Sequence, residues 1–320
     1  MSAILERLHA GAARRTETLA VDAAHLGVEV TRLPGGTRLI DTGVRAAGSL
    51  EAGRLYAECC LGGLGRVDVG AVSLRGATLL EARVAVDQPL VACMASQYAG
   101  WRIQVGKFFG IGSGPARSLA AAEPLFEKYP LRSRADSTVL LLETASLPDE
   151  EVAAPIAARC GVPPERLTLI AASTGSLAGC TQIAARSVET ALHKLMELGF
   201  RLEAIVAGAG SCPIAPGHPE PLRAIGRTND AILYGARVSL WTRCDDRETE
   251  TVIDRLPSSS SKDYGRPFDE LFREHGGDFY AIDPMLFSPA QVTIANAATG
   301  RVVTRGMIDE TMLLKSFGFD

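Results

Sequence analysis

Residues 137–145, STVLLLETA, decide how this chain folds. The apolar run Val139 to Leu142, closed by Glu143 and Thr144, reads as a strand buried on both faces, the kind that parallel sheets contain. The rhythm then continues with a helix near 149–160, the apolar strand RLTLIAAS (166–173), a long helix near 176–198 and the strand EAIVAGAG (203–210). Strands alternating with helices need crossover connections, which predicts a partly parallel sheet. Ligands bind beyond the carboxyl ends of such strands, so Glu143, Ser173 and Thr174 are candidate site residues facing one crevice.

Working outward, the N-terminal third reads differently. A helix near 3–24 precedes VEVTRL and TRLIDT, two β-branched runs joined by Leu33-Pro-Gly-Gly36 as a hairpin. A helix over 51–61 ends at Gly62-Gly63, and strands are expected in 65–73, 79–86 and 89–95. Toward the C-terminus come a helix near 219–232, the strand ARVSLW (236–241), a polar loop 257–265, a helix near 267–274 and a hairpin of AQVTIANA with RVVTRGMI. The shared hairpin style predicts one discontinuous domain, 1–88 with 210–320, and a second over 89–209. The expected fold class is α+β, two α/β-type domains with mixed sheets and a ligand cleft between them.

Composition excludes several functions. The 320 residues are 47% hydrophobic and 22% charged, with a formal net charge of −4 and no basic tract to follow a phosphate backbone, so nucleic acid is not expected as a partner. No stretch approaches the roughly 18 apolar residues of a membrane span, and the first residues lack the pattern of a secretory signal, so a cytoplasmic protein is expected. Seven cysteines without a CxxC pair fit reduced thiols. The absence of HExxH, paired Cys/His spacing or an acidic calcium loop predicts no metal.

Three further segments carry candidate chemistry. In GKFFGIGSGPAR (106–117), Gly110, Gly112 and Gly114 let the backbone approach a ligand, Ser113 suits an N-cap, and Lys107 and Arg117 add positive charge. A glycine-rich turn that only starts a helix reads equally well, and neither phosphate fingerprint is matched. Just before it, Ser96, Gln97 and Trp101 mix hydrogen-bonding groups with an aromatic face suited to a planar heterocycle. In QIAARSVETALHKL (182–195), Gln182, Arg186, Glu189 and His193 share one helix face opposite Ala184, Val188, Ala191, Leu192 and Leu195. A solvated outer face is the commoner explanation for such a stripe.

The strings SLEAGRLYAECCLGGL (49–64), SQYAGWRIQVGKFFGIGSGPAR (96–117), ARSVETALHKLMELGF (185–200), TNDAILYG (228–235), PSSSSKDYGRPF (257–268) and KSFGF (315–319) closely resemble the methenyl-tetrahydromethanopterin cyclohydrolase family. The resemblance implies a two-domain α+β homotrimer with a pterin substrate held between domains. It implies reversible hydrolysis of the 5,10-methenyl bridge to the 5-formyl form, without metal or organic cofactor. The family's Arg-x-x-Glu pair falls on Arg186 and Glu189, and a further strand-end glutamate on Glu143. Ser96, Gln97, Trp101, Lys107, Gly112, Ser113, Gly114, Ser173, Thr174, Asn229 and Asp230 are the candidate substrate contacts. Alternatives are a cyclohydrolase of the folate analogue and a non-catalytic pterin-binding protein.

Overall fold

The structure is a computed structural model that describes residues 2–319. Its strands in chain order are β1 (Glu29–Arg32), β2 (Arg38–Gly43), β3 (Gly65–Leu74), β4 (Ala77–Val86), β5 (Trp101–Val105), β6 (Phe108–Ser113), β7 (Thr138–Thr144), β8 (Leu167–Ala172), β9 (Ile205–Pro213), β10 (Arg237–Thr242), β11 (Gln291–Asn296) and β12 (Val302–Gly306). The helices are α1 (Ser2–Val21), α2 (Ala23–Leu26), α3 (Leu50–Cys60), α4 (Ala116–Ala120), α5 (Leu125–Lys128), α6 (Glu150–Cys160), α7 (Leu177–Ala184), α8 (Ser187–Glu197), α9 (Pro221–Asp230), α10 (Asp246–Glu250), α11 (Phe268–Glu274) and α12 (Glu310–Phe317). The segments Leu90–Gln97 and Ala231–Gly235 are π-helical. Two mixed sheets of six strands make this an α+β fold, as expected.

The chain divides into two units, Met1–Arg66 with Val91–Gln182 and Val67–Leu90 with Ile183–Asp320. The first holds the sheet β1-β2-β8-β7-β6-β5. β7 and β8 run parallel with Val139 opposite Thr168 and Glu143 opposite Ala172, and β2 runs parallel to β8. Because side chains alternate along a strand, the apolar run of β7 serves two cores. Val139 and Leu141 join Leu19, Leu55, Tyr56 and Ile170, whereas Leu140 and Leu142 join Ala153, Ile156 and Leu169. The partition expected from sequence placed 1–88 with the C-terminal third. Local hairpin style misled there, because β2 pairs in parallel with β8 while only β3 and β4 join the other sheet.

Two local expectations also change. Leu90–Gln97, which takes up most of the strand expected over 89–95, is π-helical, since a short apolar run fits either state and Leu, Ala and Met favour helix. The glycine-rich stretch is the hairpin β5–β6 followed by α4. Gly114 has φ +98, and a Cβ there would lie 2.4 Å from Leu141 Cδ1, so this glycine is required for packing. Arg117 is fully buried: Nη1 donates to the carbonyls of Met94 (2.9 Å) and Ser96 (3.0 Å) in the π-helical segment, while Nε and Nη2 donate to Glu123 at 2.8 and 2.6 Å. The guanidinium thereby adds donors at the end of the π-helical segment, where the Ser96 carbonyl also accepts the Gly114 N–H at 2.8 Å.

The second unit holds the sheet β12-β11-β10-β9-β4-β3, in which β10 and β11 are parallel. α8 packs on β9 and β10. Gly208 and Gly210 of β9 permit this approach, since a Cβ at these positions would come within 2.8 Å of Val188 Cγ1 and 2.4 Å of Ser187 Oγ. All seven cysteines are free; six are buried, and burial pushes the Cys59, Cys160 and Cys212 thiols up. Among the described residues no helix is long and apolar enough to cross a membrane.

Replacing Arg117 by Met removes the cation from a buried pair and strands Glu123. Thermal or urea denaturation should show a loss of about 3–5 kcal/mol, the usual consequence of breaking such a pair.

Candidate active site

In the first unit the carboxyl ends of the parallel strands β2, β7 and β8 lie along one edge of the sheet. At the end of β2, Asp41 is buried and its two oxygens accept the backbone N–H groups of Gly43, Val44, Arg45 and Ala46 at 2.7–2.9 Å. Four donors on one carboxylate fix the turn that follows the strand. At the end of β7, Glu143 is half-buried. Thr174 Oγ1 donates to its Oε1 at 2.6 Å, and Gln182 Nε2 donates to its Oε2 at 3.1 Å. Both donors are neutral, and among the described residues no arginine or lysine forms an ion pair with Glu143. Ser173 instead ties β8 to β2, its N–H and hydroxyl both donating to the Gly43 carbonyl.

In the second unit the long helix expected over 176–198 is interrupted. α7 ends at Ala184, the Arg186 N–H closes a tight turn on the Ile183 carbonyl at 2.9 Å, and α8 restarts at Ser187. Arg186, at φ −88 and ψ 3, occupies the N-cap position, which places Glu189 in the first turn of α8. Arg186 Nη1 lies 3.7 Å from Glu189 Oε2, an ion pair longer than a hydrogen bond. The pair is 7% and 6% exposed and Gln182 is 1% exposed, so these three residues of the polar stripe are buried, whereas His193 is partly exposed. The N–H groups of a helix's first turn add positive potential beside Glu189. An arginine and a helix start beside a carboxylate both favour its charged form, which is the form that can accept a proton.

The other sequence candidates fall into distinct environments. Ser96 is buried and donates to the Cys60 carbonyl at 2.6 Å. Gln97 is buried beside it in the π-helical segment, and Trp101 opens β5 opposite Gly112. Ser113 is buried at the end of β6, and Lys107 is exposed at the hairpin turn. Asn229 Nδ2 donates to the Ile225 carbonyl, within its own helix. Asp230 is 1% exposed and accepts from the Phe268 N–H at 3.0 Å and the Ser316 hydroxyl at 2.6 Å. It thus joins the TNDAILYG, PSSSSKDYGRPF and KSFGF strings, and burial raises its carboxyl to about 7.

Lys194 was not among the candidates. It is fully buried on α8, and its Nζ donates to the Pro257 carbonyl, the Ser260 hydroxyl and the Met285 carbonyl. Burial pushes its ammonium down to about 7, opposed by Asp283. The available signal was a lysine on the flank that Ala191 and Leu195 define as apolar. With Ser258 donating to the Leu233 carbonyl, Lys194 makes 257–261, read from sequence as part of a polar loop, an anchored segment. Among the described residues no group of three histidine, cysteine, aspartate or glutamate side chains is placed to hold a metal ion.

The chain thus carries a buried Arg-x-x-Glu pair at the start of α8 and a glutamate with fixed partners at the end of β7. A comparison with known families is more specific: the chain belongs to the family described as Cyclohydrolase (MCH), whose profile matches residues 8–317. It is 47% identical over 302 residues to the methenyltetrahydromethanopterin cyclohydrolase of Xanthobacter autotrophicus, covering 94% of this chain and 90% of that protein. The enzyme of that name from Methylobacterium organophilum is 45% identical, with 94% of each chain covered. The one from Methanosarcina barkeri is 40% identical, with 92% of each covered.

Asp230 favours the protonated form when folded, at about 7 against 3.8 for the free side chain, so it stabilises the fold below about pH 4 and that contribution is lost as pH rises through 7. Asp230→Asn keeps an acceptor for the Phe268 N–H and removes the titration. Melting temperatures recorded from pH 4 to 8 should decline with rising pH more steeply in the wild type than in the variant.

Proposed function

We propose that this chain catalyses the reversible hydrolysis of 5,10-methenyl-tetrahydromethanopterin to 5-formyl-tetrahydromethanopterin. Family membership and the names of its relatives support the reaction, and the observation in the chain itself that carries it is the buried Arg186–Glu189 pair at the start of α8. The substrate is an amidinium cation whose bridge carbon is already electrophilic. The reading therefore calls on no metal and no organic cofactor, and the protein has to orient a water and take its proton.

Glu189 accepts a proton as the water oxygen bonds to the bridge carbon, giving a neutral hydroxyl adduct. It returns that proton to the departing amine nitrogen as the carbon–nitrogen bond breaks. The adduct's hydroxyl proton is released as the formyl carbonyl forms, so one proton is liberated for each cation consumed. Arg186 orients the Glu189 carboxylate. Glu143, negative and held only by neutral donors, offsets the charge of the cationic substrate. Gln97, Trp101 and Lys107 are further contacts of the pterin and its tail in this reading. The protein works in the cytoplasm as a homotrimer, which the resemblance implied.

The purified protein should bleach the methenyl chromophore of the methanopterin compound faster than that of methenyl-tetrahydrofolate. Glu189→Gln, with an unchanged melting temperature, should lose about 10²- to 10⁴-fold in kcat, the range for a general acid–base group. Near-wild-type turnover by that variant would refute the assignment of the base. Sedimentation equilibrium should give three times the 33.8 kDa chain mass, and a monomer would refute the trimer.

A further inference from the structure

We propose that Gln182 is the positioning residue of Glu143, holding the carboxylate for a cationic ligand without neutralising it. The inference rests on the cyclohydrolase reading above and adds to it a residue that the catalytic triad of Arg186, Glu189 and Glu143 does not contain.

Gln182 stands in the last turn of α7, 1% exposed, and its Nε2 donates to Glu143 Oε2 at 3.1 Å. Thr174, in the turn between β8 and α7, donates to the other oxygen at 2.6 Å. One donor on each oxygen removes the rotational freedom of a carboxylate that ends a rigid, doubly buried strand. The choice of donors has an electrostatic consequence. An arginine or lysine would hold the same oxygens but cancel their charge, whereas an amide and a hydroxyl supply direction and leave a full negative charge in place. A half-buried anion held in this way is matched to a ligand that brings its own positive charge.

The mainstay of the test is Gln182→Met, which keeps length and helix propensity and removes the donor. Its kcat/KM toward the methenyl compound should fall by about ten- to a hundredfold with little change in melting temperature, as expected when a charged group loses its orientation. Gln182→Glu supplies a readout that a merely structural role would not move. At low pH the introduced carboxyl is protonated and donates as the amide did. As pH rises it ionises against Glu143, and the two like charges repel. Activity of that variant should therefore fall between about pH 5 and 8 relative to the wild type. Should Gln182→Met fail to fold, Thr174→Val removes the other donor at constant shape and should lose activity in the same direction. Variants within about twofold of wild type in kcat and KM, with a wild-type pH profile for Gln182→Glu, would overturn the inference alone. A folded wild-type protein that hydrolyses neither methenyl compound would overturn the functional reading and this inference with it.

Discussion

The parallel pairing of β7 with β8 is the constraint on which the first unit depends. A strand reading Val-Leu-Leu-Leu has no face to offer water, so both sides must be covered, and alternation sends successive residues into two different cores. Helices α1 and α3 cover one side, α4 and α6 the other. Once both faces are closed, the strand ends are the exits for polar groups. Glu143 emerges there opposite Ala172, held by Thr174 after β8 and Gln182 of α7, and Asp41 near the end of β2 is held by the turn that follows it.

In the second unit the comparable constraint is how closely α8 can approach its sheet. Gly208 and Gly210 remove the side chains that would hold the helix off, and Val188 and Ser187 fill the space. At the far end Lys194 draws in the segment from Pro257 to Ser260. The ion pair of Arg186 with Glu189 therefore sits on a helix fixed at both ends, and the break between α7 and α8 falls at the residue that supplies the arginine. An uninterrupted helix would have continued the angular course of Gln182 through Arg186.

Much of this was legible in the sequence, and the exceptions have physical causes. The apolar strands at 138–144 and 167–172, the Pro-Gly-Gly hairpin and the closing hairpin announce themselves through period and turn chemistry. Which strand pairs with which is non-local: β2 looks like half of an isolated hairpin and is in fact the parallel neighbour of β8. π-helical turns carry no period of their own, so Leu90–Gln97 passed for a strand. For the site, residue type and resemblance singled out Arg186, Glu189 and Glu143, and the structure gives all three low exposure or fixed partners. The glycines of 110–114 were read for ligand approach, whereas strand packing accounts for Gly114. Lys194 and Asp230 act through burial, a property that a lysine or aspartate in a sequence does not advertise.

The cysteines lead to a practical end. Six of the seven are enclosed, several with thiols that burial keeps from ionising, and Cys244 alone is partly open, sharing a hydrogen with the Thr249 hydroxyl. A maleimide dye offered to the native protein at neutral pH has one place to go. The wild-type chain thus offers a single partly open thiol for labelling, without the cysteine removal that seven thiols would ordinarily demand.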